Sequence, residues 1–422
     1  MQIEEPQLAD RRTRKRVFGA VFLISFGVLM IQIALNRIFS YTVWYHFAYI
    51  SISLALLGFG ASGSLLAAFP SLGVGKVQDR VAAYSVGAGV ATVVMLTILG
   101  RTQVNPFFIH TSVYEFGKFV AFLAAVTLPF FFAGLAISIA LREAGSLVGR
   151  LYFWDLIGAG LGCACVVPAI DLFGTPRVVA LVAVLFAAAG WIAAEPSSRG
   201  LRRASVALAV LFAVISVPLP QALPFPPSQD KDISAWLLSG RSFFSRWGSL
   251  FRTDMVGGRG EEAVLGGYGR MGLSPFYNGS TPPYRMIVHD GGAGAIMYLS
   301  NHDRDAFRMF EHHILAVPYL FGPTPDVLIV GVGGGADVVN AAIHRARSIT
   351  GVELDPITVN LITRDFADLT RGFLDRPEVS LHVGEGRHFS RSSDRQFDLL
   401  QITGVDTLSA LASGAYVLAE NY

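Results

Sequence analysis

Towards its carboxyl end this chain carries four groups of residues with the types and spacing to hold a small molecule and move a proton on it. Gly331, Gly333 and Gly335, spaced G-x-G-x-G within VLIVGVGGGADVV, close an apolar run and open a helical one. Glycines at a strand-to-helix turn let the backbone approach a ligand, while the helix start offers unpaired N–H groups. Glu353, in SITGVELDP, follows about twenty residues later, where an acid accepts hydrogen bonds from both hydroxyls of a ribose. Glu385 with Gly386, and the stretch Thr403 to Asp406, end two further apolar runs, VSLHV and FDLLQIT.

For these groups to meet, the four runs must be neighbouring parallel strands, since such sheets bind ligands at the carboxyl ends of their strands. The spacing predicts strands at Val327–Val330, SITGVE, VSLHV and FDLLQIT, with a helix through Ile343 after the glycines. Upstream, DAFRMFEHHILAVPYLF has helical spacing. YRMIVHDGGAGAIMYL predicts strands Tyr284–His289 and Ala295–Leu299, joined by a turn in which Asp290 and three glycines supply unusual dihedrals. The aromatic and basic stretch DISAWLLSGRSFFSRWGSLFRTDMV predicts a short helix followed by a strand. Before it, five prolines between Pro218 and Pro227 mark a linker.

The rest of the chain is of another kind. With 422 residues, 52% hydrophobic and 15% charged, and a mean hydropathy of +0.50, it is too apolar for an ordinary soluble protein. A net charge of +2 gives no sign of a nucleic-acid surface or an acidic tail. Cys163 and Cys165 lie in an apolar segment, which favours small packing residues over a disulfide or a metal pair.

Candidate spans lie near residues 17–39, 42–69, 82–99, 116–141, 152–170, 178–194 and 204–220, each near the ~20 apolar residues that cross a bilayer. A basic cluster, Arg11, Arg12, Arg14, Lys15 and Arg16, precedes the first. Connections 70–81, 142–151 and 195–203 are also the basic ones, which puts the amino terminus in the cytoplasm. Seven crossings would then strand the nucleotide-binding half outside, so either one candidate, such as the 204–220 run ending in VPLPQALPFPP, does not cross, or the ligand is not a cytosolic nucleotide. Asp155, one turn inside the fifth span, is either a transport or ligand group, or a carboxylate paired to Arg150 or Lys118 for packing.

The domain organisation follows: a helical membrane bundle at 1–220, a linker at 221–244, a small β-rich region at 245–300, and a Rossmann-like nucleoside-binding domain at 301–422.

Residues 245–422 resemble the spermidine synthases, the polyamine aminopropyltransferases, and in particular their membrane-fused bacterial relatives. LYFWDLIGAGLG is similar to the membrane part of those fused proteins. The resemblance implies a class I methyltransferase-like fold, decarboxylated S-adenosylmethionine as donor, a polyamine such as putrescine as acceptor, and a multi-pass protein of the bacterial inner membrane. LHVGEG is close to the family's L-H-V-G-D-G, which implies Glu385 at the adenine amine, and GVELDP matches its ribose-binding E-x-D segment. The family's G-G-G-D-G is here Gly331-Val332-Gly333-Gly334-Gly335. Its D-S-S-D-P is Thr403-Gly404-Val405-Asp406-Thr407, so only the second acid remains. Its Y-H-E aligns with Phe310-Glu311-His312, and its D-G-x-x-Q with Asp290 to Gly294.

An amine must lose a proton before it attacks carbon, and Asp406 or Glu311 are the groups expected to take it. Asp290, His312 and Thr403 are expected at the acceptor. His312 and His313 point different ways on a helix and lack further spaced ligands, so no metal is expected. Because the family's sheet has seven strands, the domain is expected to be incomplete, with a homo-oligomer or a partner chain completing it. Two other readings stand: a methyltransferase using S-adenosylmethionine, with Gly334 leaving room for its carboxylate, and a membrane transporter or sensor that binds a nucleoside or polyamine.

Overall fold

The computed structural model describes residues 8, 10–43, 47, 49–231, 233–257, 270–300, 304–322 and 325–403. They divide into two compact units, one reaching Asp230 and one starting at Lys231.

Among the described residues, six helices of the first unit are long and apolar enough to cross a membrane, which makes the protein multi-pass. They are α1 (Arg11–Thr42), α2 (Ile50–Ala68), α3 (Val77–Arg101), α4 (Val113–Glu143), α5 (Val148–Phe173) and α6 (Thr175–Ala193). The seventh expected span, 204–220, is not among them. Helix α7 (Arg199–Ser216) spends its first turn on Arg199, Arg202 and Arg203, so the apolar length left falls short of a ~30 Å hydrocarbon core at ~1.5 Å per residue. The one-turn α8 (Leu219–Ala222) and the prolines follow it.

Helix α5 shows how sequence spacing becomes packing. Leu151, Gly158, Gly162, Val166 and Ile170 form its buried stripe. A Cβ at Gly158 or Gly162 would overlap the carbonyl oxygens of Phe22 and Phe26 on α1, so the two backbones meet directly, as small residues four apart permit in lipid. Gly158→Val is therefore expected to destabilise the bundle by ~1–3 kcal/mol, read as a lowered unfolding midpoint in detergent. An unchanged midpoint would contradict the close approach. Asp155 lies in the same seam, where it accepts a hydrogen bond from the Ser25 hydroxyl of α1. Among the described residues no ion pair joins it to Arg150 or Lys118, and Lys118 pairs with Glu115 at 2.7 Å. Cys163 and Cys165 are also corrected, being exposed on α5 rather than packed between helices.

The second unit begins with α9 (Ile233–Leu238) and an antiparallel sheet. Its strands β1 (Ser242–Trp247), β2 (Arg252–Val256), β3 (Tyr284–His289) and β4 (Ala293–Tyr298) pair in chain order. Strand β4 starts two residues earlier than its sequence suggests, with Gly294 pairing Val288, so the turn rests on Asp290 at φ +46° and Gly291 at φ +74°. DAFRMFEHHILAVPYLF is not one α-helix. It forms two 3₁₀ segments, Arg304–His312 and Ile314–Leu320, divided at His313. That ring donates to the Met271 carbonyl at 2.8 Å and accepts from Leu315 N–H at 3.2 Å, while Pro318 removes a backbone donor from the second segment. Burial holds the His313 pKa below its usual value.

The second sheet is parallel, with β5 (Asp326–Val330), β6 (Ser348–Glu353), β7 (Val379–Val383) and β8 (Leu399–Ile402) in the order β7-β6-β5-β8. Helix α10 (Ala336–Ile343) follows β5. After β6 come α11 (Pro356–Asn360), a π-helical turn and α12 (Ala367–Thr370), and after β7 comes α13 (Gly386–Ser392). Met255, Ile287 and Met297 of the first sheet share a core with Phe310, Val327, Ile329, Val338 and Ile349. Polar bonds fix the same junction: Thr253 donates to Asp355 at 2.8 Å, and His289 Nε2 lies 2.8 Å from the Thr358 hydroxyl.

Candidate functional site

Strand order places the carboxyl ends of β6, β5 and β8 side by side, with Val330 opposite both Val352 and Ile402. The glycine loop leaves β5 there. Gly331, Gly333 and Gly335 have φ of +81°, +50° and +86°, in the left-handed region that side chains disfavour, and Gly335 stands immediately before α10. Gly334 serves another purpose. A Cβ on it would overlap the Ile296 carbonyl of β4, so the first sheet lies against the loop, and the room assigned to a methionyl carboxylate is filled by the protein's own backbone.

Glu353 ends β6 and is buried. Its Oε2 accepts from the Gly333 N–H at 2.8 Å and its Oε1 from the Asp355 N–H at 3.0 Å. A carboxylate has about four lone-pair positions, so two remain for a vicinal diol, and the same bonds aim the carboxylate and hold the loop. Asp355 is in turn held by its hydrogen bonds to α11 and Thr253. Residues present thus fit an adenosyl group: the loop offers backbone N–H groups and Glu353 offers the ribose anchor.

Glu385 caps α13, accepting from Arg387 N–H at 2.9 Å and His388 N–H at 2.7 Å. Partial burial pushes its pKa up, but those two N–H groups and the Arg387 guanidinium outweigh it and hold the carboxyl below the usual range. It is therefore ionised at neutral pH. Gly386 packs against Val330, whose side chain a Cβ would strike.

Thr403 is exposed just past β8, beside the loop, with its Oγ1 accepting from Gln401 Nε2 at 3.2 Å. Asp406 lies outside the described residues. Glu311 is exposed with Arg308 at 4.0 Å, and His312 lies against the Tyr277 ring at 5.0 Å; no hydrogen bond or ion pair among the described residues joins either to the glycine loop or Thr403. Asp290 is buried in the β3–β4 turn, where its Oδ1 accepts from Arg252 N–H at 2.9 Å and its carbonyl from Lys231 Nζ at 2.7 Å. Asp290→Ala is expected to lose ~1–2 kcal/mol of stability through that bond and the left-handed backbone, and Asp290→Asn less. Thermal unfolding of the full chain checks this. Weakened acceptor binding at unchanged stability would mark Asp290 as a substrate ligand instead. Among the described residues no three His, Cys, Asp or Glu side chains gather as a metal site.

Residues not singled out by their spacing surround Asp337, the second residue of α10. Its carboxylate is buried, its Oδ1 has no hydrogen-bond partner, and burial raises its pKa to about 6, against weaker lowering by Thr403 and Gln401. Tyr319 donates to Gln401 Oε1 at 2.9 Å. An acid two residues past a glycine loop, inside an otherwise apolar helix, was the available signal.

Over 140 residues the chain is 30% identical to a polyamine aminopropyltransferase of Hamiltonella defensa, covering 31% of this chain and 48% of that protein. The carboxy-terminal part is distantly similar to the polyamine aminopropyltransferases. Polyamine aminopropyltransferase 1 of Pseudomonas aeruginosa is 26% identical over 142 residues, 32% of this chain and 49% of that one. The chain thus spans about half the length of these aminopropyltransferases. No family model matches it. A spermidine synthase from Thermotoga maritima superimposes with a TM-score of 0.27 at 21% identity, over 39% of this chain and 47% of that one.

Proposed function

We propose that the chain is a membrane-anchored aminopropyltransferase-like enzyme, carrying an aminopropyl group from decarboxylated S-adenosylmethionine to a polyamine such as putrescine. The observation that carries this reading is the fastening of Glu353 to the glycine loop through Gly333, which pre-assembles a diol acceptor and a backbone cradle at one edge. Pre-assembly lowers the ordering cost of binding. The donor supplies a sulfonium, which activates the neighbouring carbon towards attack by an amine. Glu353 would hold the ribose, Glu385 the adenine amine, and the loop N–H groups the remaining polar edge.

The methyltransferase reading loses its specific support, since Ile296 fills the space beside Gly334. The transport reading loses some too, because Asp155 has a partner in Ser25. Six crossings and a cytoplasmic amino terminus would place the second unit in the cytoplasm of a bacterium, on the inner membrane, where polyamines and the donor are made. Incubating the detergent-purified chain with decarboxylated S-adenosylmethionine and putrescine tests the reading. Formation of the aminopropylated amine and the matching thioether nucleoside is expected. Their absence, with methyl transfer from S-adenosylmethionine instead, would overturn it.

A further inference from the structure

We propose that His289 is a positioning residue for donor binding, whose imidazole acts through Thr358 and Asp355 to keep the Glu353 carboxylate aimed at the ribose. This role rests on the donor-binding reading above.

A continuous chain of hydrogen bonds leads from the ribose anchor to the histidine. Glu353 Oε1 accepts from the Asp355 N–H at 3.0 Å. Asp355 in turn caps α11, its Oδ1 accepting from Ile357 N–H at 3.0 Å. Its Oδ2 accepts from Thr358 N–H at 3.2 Å, from the Thr358 hydroxyl at 2.9 Å and from the Thr253 hydroxyl at 2.8 Å. A carboxylate has about four lone-pair positions, so those donors use up Asp355 and make it a fixed post. Glu353 has only the Gly333 and Asp355 N–H groups and keeps acceptor capacity for the diol.

Hydrogen-bond directions then define what the histidine does. An ionised carboxylate only accepts, so the Thr358 hydroxyl spends its single proton on Asp355. His289 Nε2 lies 2.8 Å from that hydroxyl oxygen and therefore carries a proton and donates it. The same nitrogen is 3.6 Å from Asp355 Oδ2. Phe251 holds the imidazole in this plane, stacked on it with ring centroids 4.5 Å apart and planes 19° from parallel. Thr253, the direct cross-strand neighbour of His289 on β2, reaches the same carboxylate from the same face of the sheet. Thr253, Asp355 and Thr358 are buried, so a donor lost here is not readily replaced by water.

Placement makes this chain bear on binding as well as on folding. His289 is the last residue of β3, directly before the Asp290 turn, and Glu353 is the last residue of β6. The path from His289 through Thr358, Asp355 and Glu353 to Gly333 thus joins the antiparallel sheet to the ribose anchor and the glycine loop of the parallel one. Without the imidazole, the Thr358 oxygen loses its donor, its hydroxyl is no longer directed at Asp355, and the backbone whose N–H aims Glu353 is held less firmly. His289 acts through Glu353 and is not itself a ligand of the donor.

The test is calorimetric titration of the full chain in detergent with two probes, decarboxylated S-adenosylmethionine and its analogue lacking both ribose hydroxyls. His289→Ala should weaken binding of the first about 5–10-fold and of the second hardly at all, because only the diol uses the aim of Glu353. His289→Gln, whose side-chain amide can place an N–H donor near the Nε2 position, should restore most of the affinity. Equal losses for the two ligands, as a merely structural histidine would give, or no loss at all, would overturn the assignment. If the wild type binds neither ligand, the donor-binding reading fails, and hydrogen exchange judges the histidine alone. The Gly333 and Asp355 amides, both bonded to Glu353, should then exchange faster in His289→Ala than in the wild type or His289→Gln. Exchange at Gly333 that ignores His289→Ala would refute the positioning role.

Discussion

Replacing Glu353 with glutamine is expected to weaken binding of decarboxylated S-adenosylmethionine by about 100-fold, measured by calorimetric titration of the full chain. Two effects combine. Hydrogen bonds to a charged group contribute about 1.5–3 kcal/mol each, and the neutral amide can accept only through its oxygen. The amide nitrogen would also face an N–H group, since Gly333 donates to one carboxylate oxygen and Asp355 to the other. Either the loop or the turn into α11 then loses its partner. The loss should therefore exceed that from deleting a ribose hydroxyl of the ligand, and binding of a ligand without the diol should fall much less. Equal binding by wild type and Glu353→Gln would remove Glu353 from the site.

Asp337→Asn is expected to stabilise the second unit at pH 8 and to leave it nearly unchanged at pH 3. The folded-state pKa is raised to about 6 from 3.8, so the folded protein binds the proton more tightly than the unfolded chain. The fold is then favoured below pH 3.8, and that advantage is lost as pH rises to 6, beyond which the ionised group carries its full burial cost. About two pKa units correspond to ~3 kcal/mol, so the neutral asparagine should gain up to about that much above pH 7. Chemical denaturation at the two pH values checks it. A destabilised variant at pH 8 would mean the carboxylate is paired rather than stranded.

The parallel sheet was legible because each of its strands is a short apolar run ending in glycine, acid or threonine, and the helix after the glycines follows the same logic. The position of Glu353 followed from its distance along the chain. Other features depended on neighbours that spacing cannot supply. Gly334 reads as open space until β4 is seen to press Ile296 against it. Glu385 reads as a ligand or a loop carboxylate until α13 is seen to start on it. His312 and His313 look alike in sequence, yet one is exposed against Tyr277 and the other is buried between Met271 and Leu315. Asp337 was missed because its burial, with Oδ1 left without a hydrogen-bond partner, is something only packing reveals. In the bundle, hydropathy marked the six spans well and over-read α7, whose arginines consume its first turn.

The account turns on whether the glycine loop and Glu353 bind an adenosyl donor, and on which one. Calorimetric titration of the detergent-purified full chain with decarboxylated S-adenosylmethionine, and separately with S-adenosylmethionine, tests this most directly. Tighter binding of the decarboxylated donor is the expected result, because backbone fills the space a methionyl carboxylate would need beside Gly334. Preference for intact S-adenosylmethionine, or binding of neither, would contradict it.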